Sequence, residues 1–359
     1  MSPEELFALR LNHLGMLTER EGVISQLTRT VGVQSQAQRH AEIGLILRNP
    51  DLTRADLAQA YASGNLVRGW AQRWTHQLMT KADWNLVVAA RKAERLPAAY
   101  FQGQSKLIHD VAKQLERALQ VQPRFSKEAA DTVMDAAASE LLSNRARYAI
   151  LQLVVAHGRA YFDPVSTMSN YVLLANQDKR LPTEEAIRQL APRFLAGFGP
   201  AREADFCKWL GVSPRRVDPI WQSMSRDWHP VTVGDDILFE LMASSRTERE
   251  SLVAKTKSAV ILTAGFDASE TGYVKKDWLT DPEHQAILWS KNGLLQPVII
   301  ADGQVVGTWR YQLTTKQCNF TIRYWHPIAK TTRTIIESRL TPVAAFLERE
   351  VGSFEYQKI

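Results

Sequence analysis

Leucines at positions 6, 9, 11, 14 and 17 recur at roughly helical spacing, so the chain opens with an amphipathic helix. Another begins in Leu52-Thr53-Arg54-Ala55-Asp56-Leu57, where Thr53 supplies an N-cap oxygen. The pattern returns over 105–120 and 126–143; in the second stretch Ser126 caps and Glu128 suits the positive end of the helix dipole. A helix over 144–157 stops at Gly158, and Tyr161-Phe162-Asp163-Pro164 continues as an extended segment. Thr183-Glu184-Glu185-Ala186 starts the next helix with a threonine cap and an acidic first turn. It lacks a full capping box because Ala186 holds the glutamate position. A short helix over 204–212 ends at glycine, and Ser213-Pro214 starts another that dies before Pro230. Strands at 231–233 and 236–239 complete the winged helix-turn-helix order. Residues 1–80 and 100–165 read the same way, without a close sequence repeat.

After residue 255 the pattern turns to short β-type runs at 259–262, 296–300 and 305–310, with Asp302-Gly303 as a hairpin turn. Residues 319–325 alternate as a further strand, and a helix over about 330–351 closes the chain. The fold class expected is α+β: tandem winged-helix units over 1–95, 96–180 and 181–255, then a small C-terminal β-barrel capped by a helix over 256–359.

Composition narrows the function. A chain of 359 residues, 45% hydrophobic and 23% charged, is long enough for several domains with a buried core. A net charge of +6 suits phosphate backbones if it gathers on one face, though many proteins that bind no nucleic acid are as basic. Cys207 and Cys318 have no Cys-x-x-Cys spacing, and the histidines no His-x-x-x-His spacing, so no metal site and no cofactor is expected. Met1-Ser2-Pro3-Glu4-Glu5 lacks the charged-then-apolar pattern of a signal, and no apolar run approaches the roughly 20 residues of a bilayer span. A cytoplasmic, nucleoid-associated monomer without membrane contact is the expectation. Phosphate-loop, nucleophile-elbow and dinucleotide-binding motifs are absent from the sequence.

The candidate chemistry lies in Val33-Gln34-Ser35-Gln36-Ala37-Gln38-Arg39-His40. In extended backbone, residues i and i+2 point the same way, so Gln34 and Gln36 share a face. An amide cannot take a proton near neutral pH, so a glutamine is no general base. It can hold a water and stabilise positive charge on a sugar, which suffices when the leaving base is already cationic. The bland alternative is a polar loop at a helix start.

The segments downstream favour the first reading over the second. Ile43-Gly44-Leu45-Ile46-Leu47-Arg48, Leu66-Val67-Arg68-Gly69-Trp70-Ala71-Gln72-Arg73-Trp74-Thr75, Phe198-Gly199-Pro200, Asp205-Phe206, Trp209-x-Gly211 and Asp302-Gly303-x-Val305-Val306-Gly307-Thr308-Trp309-Arg310 occur in that order. Together with the Gln-x-Gln run, they resemble the winged-helix DNA glycosylases of the AlkZ/YcaQ type along nearly the whole chain. The resemblance implies a monofunctional glycosylase that hydrolyses the N-glycosidic bond of cationic N7-alkylated purines and unhooks interstrand crosslinks. Gln36 is then expected to position water with Gln34 as its partner. The substrate is expected to be double-stranded DNA carrying alkylated bases or crosslinks, contacted by Arg39, Arg48, Arg73, Thr75, Arg215 and Arg216. Relatives usually read Arg-Gly-Thr-x-His where this chain has Arg73-Trp74-Thr75-His76-Gln77. Either His76 reaches the site from a shifted backbone, or an imidazole contact is missing. Trp70, Trp74 and Trp84 suit a core or a DNA wedge, and Arg215 and Arg216 suit phosphates or a solvated helix end. A non-catalytic winged-helix regulator is the runner-up, and a protein interaction module without salt-dependent DNA affinity is a third reading.

Overall fold

Capping chemistry sets the helix starts. In this computed structural model, which describes residues 1–359 apart from 18, 19, 102, 180, 291 and 292, Ser2 and Glu5 bond reciprocally across the first turn of helix Pro3–His13. Thr53 and Asp56 do the same at helix Arg54–Ala62. Ser126 caps Lys127–Ala137, but that helix stops short of the expected 143. Ser143 must be extended to cap Asn144–Ala156, so one helix cannot run through it. Thr183 is the first helical residue of Thr183–Phe198, not its cap: Pro182 holds that place, and the threonine hydroxyl donates to the Ala89 carbonyl at 3.1 Å.

The first half of the chain is joined by one sheet of six described strands. The hairpin of strands Leu66–Trp70 and His76–Thr80 accepts Val33–Gln34 on one side and Ala160–Phe162 on the other, and Val172–Ala175 and Arg124–Ser126 extend it. The join between the two sets of strands is narrow, with Arg68 facing Phe162 as its registered pair. Trp70, Trp84, Phe162 and Tyr171 are fully buried around it, and Trp74 nearly so, so these tryptophans are core. Helices Thr183–Phe198, Glu203–Leu210 and Pro214–Met224 come next in the chain, then the hairpin His229–Val233 and Asp236–Glu240. Buried Arg10 in the first helix reaches across the chain, donating to the Pro200 carbonyl at 3.0 and 2.8 Å while its guanidinium lies 4.1 Å from the centre of the Tyr273 ring.

The expected C-terminal barrel is instead an open sheet. Its five described strands run in the order Glu350–Lys358, Gln317–Tyr324, Gln304–Leu313, Val298–Ala301 and Ile261–Leu262. The last is two residues long and leaves little edge to close on. The apolar face does not need closure, because two helices fill it: Ile43 and Leu47 of Gln38–Arg48 and Ile336 and Leu340 of Lys330–Phe346 pack into one cluster with Leu262, Ile299 and Phe320. The turn at Asp302-Gly303 forms as expected, with Ala301 paired to Gln304. The closing helix ends at Phe346, not 351, and the chain finishes as a strand parallel to Gln317–Tyr324. No described helix is long and apolar enough to cross a membrane.

Candidate active site

The Gln-x-Gln segment leaves a tight turn and enters a sheet. Val31 and Gly32 both take positive φ, at 53° and 95°, and a β-carbon on Gly32 would meet that of Met79 at 2.8 Å. Val33 and Gln34 then pair with Leu78 and Gln77, and the Ser35 N–H donates to the His76 carbonyl at 2.8 Å. Gln36 comes next, exposed, just before helix Gln38–Arg48.

The two glutamines meet: Gln34 Nε2 donates to Gln36 Oε1 at 2.9 Å. Arg73 sets their orientation. Its Nη2 donates to Gln34 Oε1 at 3.0 Å, and its Nη1 donates to the Trp209 carbonyl at 2.9 Å. A guanidinium only donates, so Gln34 must turn its oxygen to Arg73 and its NH2 to Gln36. The Gln36 oxygen is thereby polarised and keeps a lone pair for a water. Burial lowers the Arg73 pKa to about 10, which still leaves it charged at neutral pH.

Arg73 is itself held in an unusual backbone. It and Trp74 have φ of 53° and 57° in the turn between the two hairpin strands. The turn is closed by Ala71 N–H to the Thr75 carbonyl at 3.1 Å, and Arg91 lies 3.8 Å from the centre of the Trp74 ring. Gly211 seals it from the side: at φ 76° it ends helix Glu203–Leu210, and a β-carbon there would meet Arg73 Cα at 2.8 Å. The resulting crevice is narrow, with a volume of about 20 Å³, and is walled by Gln34, Arg73, Gln77, Trp209, Phe266 and Thr271. Nearby, Lys208 is pulled down to about 8 by burial and by repulsion from Lys276 and Arg73.

The third glutamine is scaffold. Buried Arg68 donates to the Ser35 hydroxyl at 3.3 Å, to Gln38 Oε1 at 3.2 Å, and to the Ser35 and Ser166 carbonyls. Gln38 passes the contact on to Glu42 at 3.0 Å, which also accepts from the Tyr61 hydroxyl at 2.8 Å. Sequence reasoning gives Arg68 no role of its own. The signal that could have found it is an arginine inside an otherwise apolar strand.

The histidine question is answered by register. Gln77 faces Gln34 across the strand pair and so shares its side of the sheet. Its amide donates to the Thr75 hydroxyl at 2.8 Å, which donates in turn to the Gln72 carbonyl at 2.9 Å. His76 points the other way. Its ring is stacked against Phe162 and packed 4.4 Å from Trp70, both nitrogens lack hydrogen-bond partners among the described residues, and burial lowers its pKa to about 3.

The other residues expected on DNA are dispersed. Arg39 is exposed at the start of its helix beside Tyr311. Arg48 is mostly buried and pairs with Asp267 at 2.9 Å while donating to the Leu14 and Gly44 carbonyls. Arg215 is exposed at the start of helix Pro214–Met224, and Arg216 donates to Glu94 at 3.0 Å.

Known proteins share this architecture. The sequence matches the family of DNA glycosylase AlkZ-like proteins over residues 27–346. It is 24% identical over 303 residues to an interstrand DNA cross-link repair glycosylase of Streptomyces sahachiroi, covering 78% of this chain and 80% of that protein. The solved structure of the Streptomyces sahachiroi DNA glycosylase AlkZ superposes over 100% of both chains with a TM-score of 0.80 at 19% identity, which supports the α+β fold. Matched along most of its length, the chain belongs to the AlkZ-like DNA glycosylases.

Proposed function

We propose that this glycosylase hydrolyses the N-glycosidic bond of cationic N7-alkylated purines in duplex DNA, with Gln36 positioning the water and Gln34 orienting Gln36. The observation that carries this reading is the chain of donors from Arg73 through Gln34 to Gln36. The C1′–N9 bond breaks with its electron pair moving to the purine, whose positive charge is thereby neutralised. Water adds to C1′ and its proton passes to solvent, because an amide oxygen is too weak a base to keep it. The amide contributes position and electrostatics, which suit a good leaving group and would serve a neutral base such as uracil poorly.

Helices Thr183–Phe198, Glu203–Leu210 and Pro214–Met224 with the hairpin at 229–240 act in this reading as a winged helix on the duplex. In the same reading Arg215, exposed at the start of its last helix, contacts a phosphate. The relative named for interstrand cross-link repair motivates extending the substrate range to crosslinked duplexes.

The test is base release from duplex DNA carrying N7-methylguanine, and from a nitrogen-mustard crosslinked duplex, by wild type and Gln36→Ala. Gln36→Ala is expected to lose about 100-fold or more in single-turnover rate while still binding DNA. Equal rates would remove Gln36 from the chemistry. No release by wild type, with DNA binding intact, would favour the non-catalytic binder.

A further inference from the structure

Asp281, His284 and His326 converge on the C-terminal sheet, and none of them lines the crevice beside Gln34. One ligand atom from each lies within 4.8 Å of the others. Asp281 and His284 are three residues apart at the start of helix Pro282–Leu288, so both side chains project from the same side of its first turn. His326 arrives from the segment after strand Gln317–Tyr324.

Each group is available. Asp281 occupies the N-cap position, where an aspartate normally accepts from the first turn, yet its side chain makes no capping bond. His284 Nδ1 is buried and has no hydrogen-bond partner among the described residues; a carboxylate oxygen of Glu283 is 3.7 Å away. The ring is also fixed in place, stacked on Trp325 with centroids 4.6 Å apart and planes 12° from parallel. The His326 ring stands 5.7 Å from it at 64°, so the two imidazoles present different edges to a common point.

We propose that Asp281, His284 and His326 form a binding site for a divalent transition-metal ion of the zinc class, joining the start of helix Pro282–Leu288 to the end of the sheet. Two imidazoles and one carboxylate are the donor set of zinc, cobalt and nickel, and a poor one for magnesium or calcium, which prefer oxygen alone. Ligand atoms around a tetrahedral ion sit about 3.3 Å apart, given metal–ligand bonds of roughly 2.0–2.1 Å, so closure needs a movement of at most about 1.5 Å by exposed Asp281 or by His326. Three protein ligands leave a fourth position for water or for Glu283. The site opens onto the groove between Glu4 and Phe7 of the first helix and the Gly303-Gln304 turn. It is independent of the glutamine chemistry.

The experiment uses tag-free full-length protein stripped with a chelator, titrated with Zn²⁺ in a calorimeter and with Co²⁺ in a spectrophotometer. Wild type is expected to bind one equivalent, to show visible cobalt bands from nitrogen and oxygen ligands, and to melt at a higher temperature with zinc. His284→Phe keeps a ring to stack on Trp325 but loses the ligand, and His326→Ala removes the other imidazole. Each is expected to fold, by circular dichroism, and to weaken binding by at least about 100-fold. Absence of micromolar binding by wild type, or binding unchanged in both variants, would overturn the site. Should either variant fail to fold, Asp281→Ala at the exposed position supplies the same comparison.

Discussion

Arg73 directs its guanidinium to neighbouring groups in the structure, where its Nη1 and Nη2 donate to the Trp209 carbonyl and to Gln34. In sequence, the resemblance to the glycosylase family implies a DNA contact for it. The two tasks predict different kinetics. Arg73→Lys cannot supply both planar donors, so single-turnover base release is expected to fall by about 100-fold with DNA affinity unchanged. A phosphate contact would instead raise KM and reduce the salt slope of binding by about one. The pairing of Gln34 with Gln36 is legible in the sequence, because i and i+2 on an extended chain must share a face. The identity of what orients them is not, since Arg73 lies 39 residues away and meets Gln34 through a turn with two positive-φ residues. The same limit hides the imidazole–carboxylate cluster. Asp281 and His284 are neighbours, but His326 comes from a different strand end.

At the level of elements, helix Gln38–Arg48 carries the greatest responsibility. It begins beside the glutamines and buries Ile43 and Leu47 against the C-terminal sheet. Its last residue is locked by the Arg48–Asp267 pair, whose side chains are 12% and 4% exposed, and Asp267 also accepts from the Ser269 N–H and hydroxyl at 2.9 Å. Asp267→Ala leaves the mostly buried Arg48 without its counter-charge, so it is expected to cost about 3–5 kcal/mol in urea unfolding. A loss under about 1 kcal/mol would mean that solvent reaches the pair. Most of the expected helices and hairpins of this chain form, since caps and periodicity are local. The final strand escapes the sequence pattern for a specific reason: Val351 packs inward at an odd position, whereas Phe354 and Tyr356 do so at even ones. The shift falls where the pairing of strand Gln317–Tyr324 changes register, so simple alternation is broken. The open sheet is equally hidden, because no local pattern says that two distant helices will cover its face.

For the molecule as a whole, the buried faces set the acid limit. His76 sits neutral in the apolar core, with its pKa lowered by burial from 6.5 to about 3. The unfolded chain therefore binds a proton that the native chain refuses. Stability from this residue is complete above about pH 6.5 and is lost as pH falls toward about 3. His76→Phe, which keeps the stacking on Phe162 without a titratable group, is expected to lose less melting temperature than wild type between about pH 7 and about pH 4. Parallel pH curves would show that His76 does not resist protonation. A last consequence comes from Arg68, whose single guanidinium grips Ser35, Gln38 and Ser166 where the two sets of strands meet. In a mutational scan scored by survival of alkylated cells, position 68 will cluster with 34 and 36 and invite the label of a reacting group. Abundance measured in the same library separates them: a scaffold defect lowers protein level along with survival, whereas a chemical defect leaves the protein plentiful and idle.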